Sequence, residues 1–263
     1  MRKRKSEDET QAPVAGAEVG LPNDRYLYGI VRSDHEVPTG IEGVQGKPVR
    51  TIPFGLVAAL IGDLESTDGL GTSEDLRTHT FVLDSMSQSG PVLPTRFGTV
   101  ISGDVAICAD VLEPRQDEYY EAMRQLSGYG RYTLLVQYER DAVLQGILAD
   151  NPDAVWLREA IVGTSEDETR TERAQLDDIV VTTMESSKSA EAGPILDQLG
   201  SVSARMCIRE EGEADEVLAV ALLVRHDAVT RCNSLIGKLA EQNSDRLQFR
   251  LVGPEAPYDF VDT

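Results

Sequence analysis

Side-chain catalysis needs titratable or nucleophilic groups gathered at defined spacings, and this sequence offers few. The histidines are His35, His79 and His226. No two of them stand at the i, i+4 spacing that lets an HExxH helix place both imidazoles on one metal ion. His35 lies between Asp34 and Glu36, a triplet that could touch a cation weakly but reads better as an exposed turn. Cys108, Cys207 and Cys232 are far apart, odd in number and without a CxxC pair. That pattern supports neither a disulfide framework nor a structural zinc site, and it fits reduced thiols in a cytoplasmic protein. No GxSxG elbow presents a serine nucleophile.

Carboxylates are abundant as neighbours: Glu166/Asp167, Asp177/Asp178 and Glu210/Glu211. A carboxylate becomes a general acid when apolar burial or a like charge raises its pKa. These pairs lie in polar, solvated runs, where that mechanism has no setting. The glycine-rich stretch from Gly40 to Pro48 fails as a P-loop. Ile41 stands where the first glycine is needed, and Pro48 replaces the metal-binding hydroxyl. Gly69 and Gly71 precede a helix, as at an anion site, but Asp68, Glu74 and Asp75 surround them. No cofactor, metal site or catalytic residue is therefore expected.

Two segments remain with binding character. In Leu93-Pro94-Thr95-Arg96-Phe97-Gly98, a guanidinium sits between a rigid proline and an aromatic ring. Arg96 there could clamp a partner's carboxylate through two parallel hydrogen bonds, or form a buried structural ion pair. The ion pair is the weightier expectation. At the chain's end, Gly253, Pro254 and Pro257 should stop the last strand and hold an extended path. Tyr258 and Phe260 follow, and such a tail either folds back on its own domain or docks on a partner.

The elements that would position these groups follow from the hydrophobic pattern. Residues 1–23 run from a basic block into an acidic one with little to bury, and read as a disordered tail. Tyr26 to Val31 reads as a strand, and Leu56 to Ile61 as a strand or a buried helix. Thr72 or Ser73 caps a helix expected to carry Leu76, Thr80, Leu83 and Ser87 along one face. Pro91 to Thr95 is extended, and residues 103–127 are helical with a break near Pro114. The chain then reads β-α-β-β-α-β: Tyr132–Tyr138, Asp141–Leu148, Val202–Ile208, Val217–Val224, Val229–Leu239 and Leu247–Leu251. That is the order of a ferredoxin-like fold, here with a helical insertion at about 153–199. Four antiparallel strands would be covered on one face by two helices, leaving the open face or the insertion for docking. The expected class is α+β, with a domain over 24–128, a modified ferredoxin-like domain over 129–252 and a tail over 253–263.

Composition limits the partners. With 25 basic against 45 acidic residues the formal charge is −20, which repels phosphate backbones and anionic membranes. The strands matching an RNA-recognition face, Val202–Arg209 and Val217–Val224, carry no aromatic residue. No apolar run reaches the roughly 18–20 residues of a membrane helix, and no signal peptide is evident. Neither nucleic acid nor a membrane is expected as a partner, and the cytoplasm is the expected location.

The ordered segments together resemble the gas vesicle protein L/F family. Tyr26-Leu-Tyr-Gly-Ile-Val31 resembles its opening strand, and His79 its usual histidine ahead of the proline segment. Val92-Leu-Pro-Thr-Arg-Phe-Gly-Thr-Val100 resembles its most recognisable motif. Tyr132–Tyr138 resembles the strand opening its second domain, and Gly253-Pro-Glu-Ala-Pro-Tyr-Asp-Phe-Val261 its closing motif. Ala256 and Asp259 depart from the two adjacent prolines and the serine usual there. The resemblance implies a non-enzymatic accessory protein of gas vesicle assembly. Its partners would be the hydrophobic shell subunit and other accessory proteins, and its place the vesicle, the inner gas-facing surface included. The Arg96 region would contact the shell subunit while the acidic insertion keeps the complex soluble. The alternative is a ferredoxin-like regulatory protein that binds a small molecule.

Overall fold

The computed structural model describes residues 24–209, 212 and 215–261. The expectation for residues 1–23 and the pair Glu210/Glu211 lie outside the described residues. Two antiparallel sheets with helices between and around them make up the described chain.

The first sheet holds β1 (Asp24–Arg32), β2 (Val49–Phe54), β3 (Val57–Asp63), β4 (Val92–Pro94) and β5 (Val100–Ser102). Its order is β2-β3-β1-β4, with β5 also paired to β1. Leu56–Ile61 therefore falls in and beside a strand. A bulge in β1 between Leu27 and Gly29 shifts the alternation. Tyr26, Tyr28 and Val31 consequently face one side, and Leu27 and Ile30 the other. Gly29 lets β4 approach, because a Cβ there would lie 2.5 Å from the Leu93 carbonyl oxygen.

Helix α1 (Ser73–Ser87) covers the tyrosine side of this sheet. Thr72 is its N-cap, and the Asp75 side chain answers in a reciprocal capping box. The face it buries is His79, Val82, Leu83 and Met86, while Leu76 is half exposed. The expected stripe was thus rotated: it included Leu76 and omitted the buried histidine. Thr80 and Ser87, also placed in that stripe, instead donate their hydroxyls to the carbonyls of Leu76 and Leu83. The other side of the sheet is covered by α2 (Asp104–Ala106), a π-turn at Ile107–Leu112, a short 3₁₀ turn at Glu113–Arg115 and α3 (Gln116–Leu126).

The second sheet is ordered β7-β8-β6-β9, antiparallel throughout. Its members are β6 (Tyr129–Tyr138), β7 (Arg205–Arg209), β8 (Glu216–Arg225) and β9 (Leu247–Glu255). Between β6 and β7 come α4 (Arg140–Asp150), α5 (Pro152–Ile161) and α6 (Arg170–Leu199), and α7 (Val229–Gln242) joins β8 to β9. Leu176, Val180 and Met184 of α6 pack with Cys232, Ile236 and Leu239 of α7 on Leu134, Val136, Val220 and Leu222. Each such fully buried aliphatic side chain contributes about 1.5–3 kcal/mol.

Two expectations are corrected here. The face of β8 away from α6 and α7 is not open, because Ala221 and Leu223 are buried with Tyr119, Met123 and Leu126 of α3 and with Phe260. The last strand does not stop at Gly253. β9 continues through Pro254 to Glu255, which pairs with Arg131 across a register shift. In β7, Met206 and Ile208 stand on the helix-covered face yet are 40% and 51% exposed, since β7 is an edge strand that the helices overhang only partly.

Candidate functional site

The tail and the Leu93–Gly98 segment meet at one place, over the tyrosine side of the first sheet. Tyr26 and Tyr28 of β1 project there with ring centroids 4.8 Å apart. His79 of α1 enters from above and is 0% exposed. Its Nδ1 lies 3.1 Å from the Tyr26 hydroxyl, and its Nε2 lies 2.9 Å from the Tyr258 hydroxyl of the tail. The ring also stacks on Tyr28 and meets Phe97 edge-on, each with centroids 5.7 Å away.

Burial lowers the His79 pKa to about 4, opposed by a backbone hydrogen bond at Thr95. A neutral imidazole has one donor and one acceptor nitrogen, so one tyrosine must donate to it and the other accept from it. The tyrosine hydroxyls are held protonated as well. Burial pushes Tyr28 up to about 12, and it raises Tyr26 and Tyr258. These groups are neutral and mutually satisfied, with His79, Tyr26 and Tyr28 buried and Tyr258 closing the cluster at its 42% exposed edge, which suits a structural clamp rather than proton transfer.

The Leu93–Gly98 motif mostly serves this clamp. Leu93 and Pro94 are buried in β4. Thr95 donates its N–H to the Tyr28 carbonyl at 2.9 Å and its hydroxyl to the Leu27 carbonyl at 2.7 Å. Gly98, at φ +82°, donates its N–H to the Tyr26 hydroxyl at 3.0 Å. That left-handed backbone conformation is one a glycine adopts without strain.

Arg96 departs from the weightier expectation. It is exposed and makes no ion pair among the described residues. It lines a cleft of about 210 Å³ with Ile30, Leu93, Thr95, Thr99, Arg115 and Tyr119. Arg115 already holds Glu118 in a two-point ion pair and lies over the Tyr119 ring at 4.8 Å. The cleft therefore presents one uncommitted guanidinium beside an apolar floor. Phe97 does not flank it, being turned inward against His79.

The tail folds back and is pinned at four further points. Ala256 is buried, and its N–H donates to Asp84 Oδ1 of α1 at 2.8 Å. Burial raises the Asp84 pKa, and the Ala256 hydrogen bond opposes this. Arg131 of β6, 5% exposed, donates to Glu255 and to Asp259 Oδ2, the latter through Nη2 at 2.7 Å. Thr133 Oγ1 donates to Glu255 at 2.7 Å. Phe260 is buried under the Arg205 guanidinium of β7, 5.2 Å from its centroid. The tail thus ties α1 to β6 and β7, across the two sheets.

Arg96, Tyr258 and Phe260 are legible in the sequence, but three residues that receive the tail, Asp84, Arg131 and Arg205, are not. They carry no local signal, because each acts through a partner distant in sequence. Cys108, Cys207 and Cys232 are unpaired. Among the described residues no group of three or more His, Cys, Asp or Glu side chains is arranged to hold a metal ion. Among them, too, no helix is long and apolar enough to cross a membrane.

Residues 24–262 match the family model described as gas vesicle synthesis protein GvpL/GvpF. Gas vesicle protein F of Streptomyces sp. (strain CB03234) is 32% identical over 241 residues, covering 90% of this chain and 99% of that protein. Gas vesicle protein L1 of Halobacterium salinarum is 24% identical over 288 residues, covering 98% and 97%. In fold, the chain is similar to the crystal structure of GvpF from Anabaena sp. PCC7120, with a TM-score of 0.70 at 19% identity. That superposition covers 92% of this chain and 99% of the other. GvpF from Microcystis aeruginosa gives a TM-score of 0.67 at 22% identity, covering 92% and 100%.

Proposed function

The chain belongs to the gas vesicle synthesis protein GvpL/GvpF family, and on that premise we propose that it is a non-enzymatic assembly protein that binds the hydrophobic shell subunit. A subunit that exposes apolar surface aggregates before it assembles. A strongly charged partner that covers part of that surface holds it in solution. The observation that carries this proposal is the Arg96 cleft, an uncommitted cation beside an apolar floor. It suits a carboxylate flanked by apolar side chains, with Arg96 reaching the carboxylate through paired hydrogen bonds. The neutral, mutually hydrogen-bonded Tyr26–His79–Tyr258 clamp agrees with a binding role.

The rest of the reading follows the same line. Residues 24–128 form the shell-binding domain. Residues 129–252 form a ferredoxin-like domain whose strand order β7-β8-β6-β9 supports that description. Glu166, Asp167 and Glu168 of the insertion keep the complex soluble, other accessory proteins join it, and the protein remains with the vesicle on its gas-facing side. The test is capture of the shell subunit by the full-length protein, beside Arg96→Ala. Capture that is lost in a still-folded Arg96→Ala supports the site. Absence of capture by the wild type contradicts direct shell binding.

A further inference from the structure

The insertion carries a surface that solubility does not explain. Helix α5 buries Ala154 and Leu157 against its neighbours. It leaves Val155, Trp156 and Val162 exposed, Trp156 at 61%. Val155 and Trp156 lie on the part of α5 turned away from its buried residues, and Val162 follows at the helix's extended C-cap. Trp156 is the sole tryptophan of the chain, and a largely exposed indole beside two exposed valines is costly to leave in water. It lines a cleft of about 410 Å³ between α5 and α6, with Asp153, Leu157, Gln175, Asp178 and Ile179. Asp153 and Asp178 are exposed and make no ion pair among the described residues. From Asp150 to Asp178 the chain holds nine acidic residues against three arginines.

We propose that the α5–α6 cleft docks a basic, apolar-flanked segment of a partner protein. An indole face with carboxylates on either side recognises a lysine or arginine, through cation–π attraction and charge pairing together. The two valines extend the contact beyond one side chain, so the occupant is a segment with neighbouring apolar residues rather than a small cation. The field of a chain at −20 gathers basic segments toward it. This polarity is opposite to that of the Arg96 cleft, which takes an anion. The two surfaces can therefore hold two different components of one assembly, and neither depends on the other.

Because Trp156 is the sole indole, its emission reports this cleft and nothing else in the chain. The probe is a synthetic amphipathic helix of leucine and lysine, with a control in which glutamate replaces every lysine. Added to the full-length protein, the lysine peptide should shift or quench Trp156 emission saturably, and the glutamate peptide should not. In Asp153→Asn/Asp178→Asn the affinity should fall about tenfold, and added salt should weaken wild-type binding. Trp156→Ala, exposed enough to leave the fold intact, should lose binding of a labelled peptide followed by anisotropy. Four results would overturn the proposal: no emission change, equal binding of both peptides, unchanged affinity in the double variant, or Trp156-dependent self-association that excludes the peptide. A blue shift of free-protein emission that vanishes on deleting residues 1–23 would assign the cleft to the chain's own basic block, Arg2 to Lys5, and would overturn it too.

Discussion

Replacing His79 by glutamine should make the protein's stability less sensitive to acid. The imidazole is wholly buried, and burial lowers its pKa from 6.5 to about 4. Between those values the unfolded chain binds a proton that the folded chain refuses. Stability from this group is therefore complete above pH 6.5 and is lost as pH falls toward 4. At 1.36 kcal/mol per pKa unit the loss reaches roughly 3 kcal/mol. Glutamine can keep a donor and an acceptor for Tyr26 and Tyr258 but does not titrate. Urea unfolding of both proteins at pH 7 and pH 4.5 gives the measurement, with the other titrating groups common to both. The wild type should be the more stable at pH 7, and its advantage should shrink by about 2–3 kcal/mol at pH 4.5. An advantage that stays constant between the two pH values would refute the buried neutral imidazole as the acid-sensitive element.

Arg131→Ala strands Glu255 and Asp259 at the base of the tail, and should cost about 3–5 kcal/mol with earlier proteolytic cleavage beyond Glu255. Thr72→Ala removes the capping box of α1 and should cost about 1 kcal/mol in denaturant unfolding. Reversing charge at Glu166, Asp167 and Glu168 together, all exposed, should leave the unfolding midpoint nearly unchanged while lowering solubility of the co-expressed shell subunit. Unchanged solubility there would remove the solubilising role from the insertion.

Much of the fold was legible because its signals are local. The continuous apolar run Val217–Val224 announced a strand, and it lies within β8 with every residue buried, although the cover on its second face was not expected. A cap at Thr72 or Ser73 was legible at the start of α1, and Thr72 is the one used. The edge strand β2 was not legible, because Arg50, Thr51 and Pro53 interrupt its apolar positions. Its pairing is fixed by β3 and by the network of Arg25 and Arg50 with Asp63 and Asp104. The tail's path was hidden for a similar reason. Arg131, Asp84 and His79 receive it from elements more than a hundred residues away, and local pattern does not encode that distance. Arg96 was legible as a binding candidate from its neighbours, but its exposure was not. Phe97 turns inward to His79 and leaves the guanidinium free.

The central claim is that this chain covers apolar surface of the shell subunit through the Arg96 cleft. Light scattering of shell subunit diluted from denaturant, with increasing amounts of the full-length protein, tests it most directly. Scattering should fall and level off at a fixed molar ratio, and Arg96→Glu, equally folded, should suppress it poorly. Scattering unaffected by the wild type, or suppressed equally by Arg96→Glu, would contradict it.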